Sequence, residues 1–345
     1  MAILHLHHLA RHVPLRQLNC WTSIRTASTV VGKSGRIYIE GDLLRRRRDD
    51  RNTFKAESGN ESFVLKHVPT PFYRLSTFLP RVFSGARRLR LAVDSSDDDN
   101  VLVYPYFRGT LFDLIQANPD LSVANRKEIL RHLAEAIQEL HSKDLIHLDV
   151  KPQNVFVNWT CNEDGTKTIT DVALADLWHA QRSERGEPYE PRFPVGDMAW
   201  RSLEAHVGRA ITKASDMYSF GLVCAYAFGG GDMLLLRDEI NEQELQIGSV
   251  LEAKVLTEVL SMRLAYFGLP TEGLLEKLDH WSEAFKTYSR LANQVLKITP
   301  ELRFEVWGAS FGSKARDMIL GLTKSDPAAR LTVDQVLAHP WWEKQ

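Results

Sequence analysis

Asp149, Lys151 and Asn154 fall within six positions of one another. Before them, Ile129, Leu130, Leu133, Ala134, Ile137 and Leu140 recur at helical spacing behind Ser122, a plausible cap. After them comes the strand-like run Val155-Phe156-Val157. A carboxylate, an ammonium and a carboxamide on one helix-to-strand loop suit phosphoryl transfer. The carboxylate orients an attacking hydroxyl, the cation sits beside the moving phosphate, and the amide oxygen suits a hard divalent metal. A second carboxylate, Asp176, follows the strand-like segment Ile169–Leu174, which lies beyond the turn sequence Asn162-Glu163-Asp164-Gly165.

The whole segment His147-Leu148-Asp149-Val150-Lys151-Pro152-Gln153-Asn154 resembles the protein kinase catalytic loop, H-R-D-L-K-P-x-N. More of that family's pattern follows in order. Asp176-Leu177-Trp178 resembles the Asp-Phe-Gly triplet, with a bulky residue where glycine is usual. Ser202-Leu203-Glu204 resembles Ala-Pro-Glu, and Asp216-Met217-Tyr218-Ser219-Phe220-Gly221 the start of the buried central helix. Asp326-Pro327-Ala328-Ala329-Arg330-Leu331-Thr332 and His339-Pro340-Trp341 resemble the closing kinase motifs. The resemblance implies that Asp149 orients the substrate hydroxyl and Lys151 steadies the γ-phosphate. It implies that Asn154 and Asp176 hold magnesium, and that Glu204 pairs with Arg330. The Lys151-Pro152 form resembles serine/threonine kinases.

The likeness thins toward the amino terminus. Ser62-Phe63-Val64-Leu65-Lys66 resembles V-A-I-K, which makes Lys66 the residue expected at the α- and β-phosphates. Tyr104-Pro105-Tyr106-Phe107 falls where kinases bind adenine. Pro105 has no amide, so the backbones of Tyr106 and Phe107 are expected to carry those contacts. The glycine-rich phosphate loop is replaced by Arg45-Arg46-Arg47-Arg48-Asp49-Asp50-Arg51, read as a hairpin tip. Residues 62–93 contain no acid, so the helix after Lys66 offers it no Glu. Lys66 must stay hydrated, lean on Asp176, or find Glu61 or Asp94. Leu148 stands where an Arg usually meets a phosphorylated activation segment, so control by such a phosphate is not implied.

These residues need a scaffold. The alternation over residues 36–68 and the run Val101-Leu102-Val103 predict strands, and residues 72–79 between Pro71 and Pro80 predict a short helix. From residue 109 onward the pattern is mostly helical. The expected class is α+β, a bilobal protein kinase-like fold. Residues 36–108 form a small β-rich N-lobe, 109–345 a larger α-helical C-lobe, and 1–35 a basic tail or targeting segment. The chain of 345 residues is 44% hydrophobic and 25% charged, with a net charge of -1, so no overall field favours nucleic acid or a membrane. The balance is local: residues 1–93 hold 17 Lys and Arg against 6 Asp and Glu. The apolar stretch Met217–Phe228 is too short for a bilayer, which takes about 20 residues, and reads as a buried helix. Cys20, Cys161 and Cys224 show no metal spacing and suit a reducing compartment, cytoplasmic or nuclear. The first 39 residues hold no acid, which also suits a mitochondrial transit peptide.

The implied activity is a serine/threonine protein kinase that uses ATP and Mg2+ on protein substrates. The alternative is a pseudokinase, a binding or scaffolding module on the same fold, and a third reading is phosphorylation of a small molecule. Phe267-Gly268-Leu269-Pro270 resembles the region after the central helix in cyclin-dependent and mitogen-activated kinases, without fixing a group.

Overall fold

Alternating apolar and polar positions, broken by turn residues, produce an antiparallel meander at the amino-terminal end. The computed structural model describes residues 28–46, 52–183, 186–230, 249–277 and 281–343. Strands β1 (Thr29–Val31), β2 (Ile37–Arg45), β3 (Thr53–Ser58), β4 (Glu61–His67), β5 (Asp94–Ser96) and β6 (Val101–Pro105) form one sheet in the order β1-β2-β3-β4-β6-β5. The β3–β4 turn closes on Gly59 at φ +61, a left-handed position that suits glycine. Period-two alternation gives β4 two apolar faces. Phe63 and Leu65 pack with Tyr38, Ala56, Val101 and Val103. Val64 joins Leu102 and Tyr104 against Phe72 and Tyr73 of helix α1 (Thr70–Val82).

Two boundaries differ from the sequence reading. The segment expected as tail up to residue 35 contributes to the sheet, since β1 pairs with β2 and the Lys33 amide donates to the Ser95 carbonyl at 2.8 Å. The triplet Thr29-Val30-Val31 is β-branched throughout, which favours a strand whatever the charge around it. Residues 1–27, with the targeting reading and Cys20, lie outside the described residues, as do residues 47–51 of the arginine-rich tip. Helix α1 also runs through Pro80 to Val82. A proline in the final turn disturbs little of the ladder beyond the carbonyl four residues back.

The second lobe opens with β7 (Gly109–Thr110) and α2 (Leu111–Ala117), where Thr110 and Asp113 form a capping box. Helix α3 (Val123–His141) follows, capped by Ser122 as the sequence predicts. Strands β8 (Leu145–Ile146), β9 (Val155–Cys161), β10 (Lys167–Leu174) and β11 (Gln181–Arg182) form two small sheets, β10-β9-β7 and β11-β8. The rest is helical: α4 (Leu203–Val207), α5 (Lys213–Ala225), α6 (Val250–Phe267), α7 (Glu272–Lys277), α8 (Ser282–Ile298), α9 (Phe304–Trp307), α10 (Ser313–Leu322) and α11 (Val333–Leu337). Among the described residues no helix is long and apolar enough to cross a membrane.

Helix α5 is the axis of the larger lobe. Phe220, Leu222, Val223 and Cys224 are wholly buried on all its sides, as expected of a helix that is apolar all round. A Cβ on Gly221 would lie 2.9 Å from the Leu322 Cβ, so glycine there lets α5 and α10 approach closely. Beside α5, Glu204 and Arg330 form the expected pair, at 2.6 Å and 3.0 Å, with both side chains fully buried. Ser215 donates to the same carboxylate at 2.7 Å, and the Arg330 guanidinium lies 4.8 Å over the Tyr218 ring.

Burial alone would raise the Glu204 carboxyl, but Arg330 outweighs it and holds the group below its ordinary 4.5. This stability is present above the unfolded-state value and is lost as pH falls through the depressed folded value. Arg330→Ala leaves a buried, unpaired carboxylate and should cost about 3–5 kcal/mol. Urea unfolding at neutral pH measures that loss, and repeating it at falling pH should show the wild-type advantage shrinking.

Candidate active site

One buried carboxylate sets the loop that carries Asp149. Asp216, in the first turn of α5, accepts the His147 amide at 2.8 Å and the Leu148 amide at 2.9 Å, and lies 2.9 Å from the His141 Nε2. These bonds hold Leu148 at φ +67, an uncommon conformation for a branched residue. Its side chain is buried with Ile146, Val195, Ala205 and Ile211, so an apolar contact stands where an arginine would meet a phosphate. His147 donates from Nε2 to the Ala175 carbonyl at 2.9 Å and accepts the Asp149 amide at Nδ1, 3.2 Å away. The ring thus ties the loop to the residue before Asp176.

Three of the expected residues meet directly. Asn154 Nδ2 donates to the Asp149 carbonyl at 2.8 Å and to its Oδ2 at 2.9 Å, while Lys151 Nζ lies 3.2 Å from that same Oδ2. With its nitrogen committed, Asn154 has Oδ1 as the atom for a metal. A fourth residue, Asp197, joins them. Its amide donates to the Asp149 Oδ1 at 3.1 Å, and its carboxylate accepts from Lys151 at 2.9 Å. Gly196, at φ +82, makes this approach possible, because a Cβ there would lie 2.1 Å from the Leu148 carbonyl oxygen. Burial alone would lower the Lys151 ammonium, but Asp149 and Asp197 outweigh it and hold the group above its ordinary value.

Asp176 ends the strand path at φ +65, in the left-handed region, and turns into the cleft between the lobes. Lys66 lines the same cleft, 3.8 Å from the Asp176 Oδ1. Of the partners open to it from the sequence, Lys66 leans on Asp176. Glu61 pairs with Arg36 and Asp94 bonds Tyr38. Helix α1 answers Lys66 with an aromatic face instead of a carboxylate: the ammonium lies 4.9 Å from the Phe72 ring centre. Burial opposes the charge on Asp176, but Lys66, His147, His179 and Lys151 together outweigh it and hold the carboxyl below its ordinary value. Leu177 is buried in the main core, and Trp178 packs edge-on against Phe72 at 4.8 Å. The bulky residue in the glycine position therefore braces α1.

At the end of the cleft expected to take adenine, one of the two expected amides is engaged within the fold. Tyr106 and Phe107 do line the cleft, but the Tyr106 amide donates to the Ser62 carbonyl at 3.3 Å, extending the β4–β6 pairing beyond Pro105. The Pro105 carbonyl accepts Arg90 Nε at 3.2 Å and Nη2 at 2.8 Å. The Arg90 guanidinium lies 4.3 Å from the Phe156 ring centre, 5.1 Å from Tyr104 and 5.8 Å from Phe107. Burial among these rings lowers it to about 10, so it keeps its charge at neutral pH.

Residues 88–342 match the family profile "Protein kinase domain". The chain belongs to the protein kinase family. The chain is 23% identical over 261 residues to a probable cyclin-dependent kinase 8 from Dictyostelium discoideum, covering 74% of this chain and 64% of that one. It is 25% identical over 236 residues to the mitogen-activated protein kinase mpkA of Aspergillus fumigatus, covering 66% and 47%. It is 24% identical over 232 residues to the mitogen-activated protein kinase SLT2/MPK1 of Saccharomyces cerevisiae, covering 67% and 42%. The chain thus spans about two fifths to two thirds of the length of these curated relatives. A crystal structure of the yeast RNA polymerase II CTD kinase CTDK-1 complex matches the fold with a TM-score of 0.65 at 14% identity, covering 98% and 97% of the two chains.

Sequence reasoning missed Asp197, Phe72 and Arg90. Asp197 was findable, as an acid after a glycine shortly before Ser202-Leu203-Glu204. Phe72 and Arg90 had no local signal, since each acts across the fold. Asp197→Asn removes one of the two carboxylates that hold up the Lys151 ammonium. Its titration, followed by NMR of the lysine side chain, should move downward.

Proposed function

We propose that this kinase transfers the γ-phosphoryl group of Mg-ATP to serine or threonine hydroxyls of protein substrates. The observation that carries this reading is the tie between the reacting groups. Asn154 is bonded to Asp149 at 2.9 Å and lines one cleft with Asp176 and Lys66. Asp149 orients the hydroxyl and takes its proton late. Lys151, steered by Asp149 and Asp197, faces the transferring group. Lys66 positions the nucleotide phosphates. The Asn154 Oδ1 and the Asp176 carboxylate are hard oxygen donors suited to magnesium, which when bound offsets the charge of the phosphate oxygens. Rate enhancement comes from positioning and from preset charges.

The pseudokinase reading is favoured by one observation: Lys66 meets Phe72, not a carboxylate, on α1. Asp149→Asn separates the two. Under the kinase reading it should lower phosphate transfer to a generic protein substrate by about 10²–10⁴-fold while Mg-ATP binding persists. A wild-type protein that transfers no phosphate at saturating Mg-ATP would exclude the enzyme.

Asp176 gives a pH expectation. Burial pushes its carboxyl up, but the positive groups around it, Lys66 first and then His147, His179 and Lys151, together hold it below the ordinary value. Mg-dependent binding should persist in mildly acidic solution and fail only as pH drops through that lowered value. Titration calorimetry across the acid range measures it.

A further inference from the structure

Arg90 sits where nothing in the transfer chemistry needs it. Its backbone is fixed beside the strand that leads to Asp176: the Arg90 amide donates to the Leu174 carbonyl at 2.8 Å, and the Leu174 amide donates to the Arg88 carbonyl at 2.7 Å. From that support the side chain reaches the far end of the nucleotide cleft. There it does what a bound base would do: its plane lies among Phe156, Tyr104 and Phe107, and two of its N–H groups bond the Pro105 carbonyl.

We propose that Arg90 is a built-in occupant of the adenine subsite, so that ATP binds only by displacing its guanidinium from the Pro105 carbonyl and the surrounding rings. The inference rests on the Mg-ATP reading above. The chemistry of the two groups makes them rivals. A guanidinium has donors and no acceptor, and the adenine amino group is also a donor. Both need an acceptor, and Pro105 supplies the carbonyl while offering no amide. They also compete for the same ring faces. The cleft has a volume of about 260 Å³ with Arg90 in place, below the roughly 300–1,000 Å³ of sites that hold drug-sized ligands. Arg90 therefore sets the affinity for the base and leaves the phosphate end, with Lys66, Asn154 and Asp176, to bind independently.

The test compares Mg-ATP with Mg-tripolyphosphate, which carries the phosphates and no base, on the whole chain by calorimetry. Arg90→Leu should bind Mg-ATP about tenfold or more tighter than wild type, because a charge-assisted bond no longer has to be broken. Its tripolyphosphate affinity should stay equal or weaken slightly with the lost positive charge. Arg90→Lys keeps the charge and the aliphatic stem but loses the planar fork, and should tighten ATP binding by a smaller factor. Equal ATP affinity in all three proteins overturns the proposal and leaves the kinase reading intact. Parallel tightening of ATP and tripolyphosphate also overturns it, since the effect would not belong to the base. No magnesium-dependent binding of either ligand by any of the three overturns the kinase reading as well.

Discussion

The site depends on Asp216. A carboxylate buried beside an apolar helix is tolerable only when its oxygens are bonded. Here two are the amides of His147 and Leu148, and a third contact is His141 at the end of α3. One side chain on the central helix thus joins the long helix before the loop to the loop itself. The strained backbone of Leu148, the placement of His147 between Asp149 and Ala175, and the meeting of Asp149 with Asn154 follow from it. The helix can serve as a reference because every residue from Ser215 to Ala225 is buried.

The two ends of the cleft were built by different means. At the end proposed for the phosphates, Asp149, Lys151 and Asn154 lie a few residues apart on one loop, and short bonds fix them. At the end proposed for the base, the decisive contact joins a carbonyl on β6 to an arginine from the connection between α1 and β5. The first arrangement is dictated locally. The second emerges only when the β6 edge and the path beside Leu174 are brought together.

That difference explains what could be read in advance. Asp149, Lys151 and Asn154 were legible because their spacing alone places them on one loop, and Glu204 with Arg330 because the family resemblance supplied a pair separated by 126 residues. Strands β2 to β4 followed from alternation and β6 from its apolar run, while β1 lay in the segment read as a tail and the short polar β5, Asp94–Ser96, gave no apolar signal. The role of Phe72 was illegible because a missing acid does not say what replaces it. Asp197 and the Tyr106 amide depended on backbone details, a left-handed glycine and one extra rung of pairing, that side-chain patterns do not record.

Helix α1 faces Lys66 with a ring, and Trp178 packs nearly perpendicular to that same ring. A carboxylate in that place would make the tilt of the helix an electrical contact, made or broken as the helix swings. A quadrupole attracts a cation over a shorter range, and the lysine's ion pair is with Asp176, off the helix. The helix here is a wall, not a lever. A partner pressing on it gains little purchase on the lysine, and the natural point of control shifts to whatever occupies the cleft.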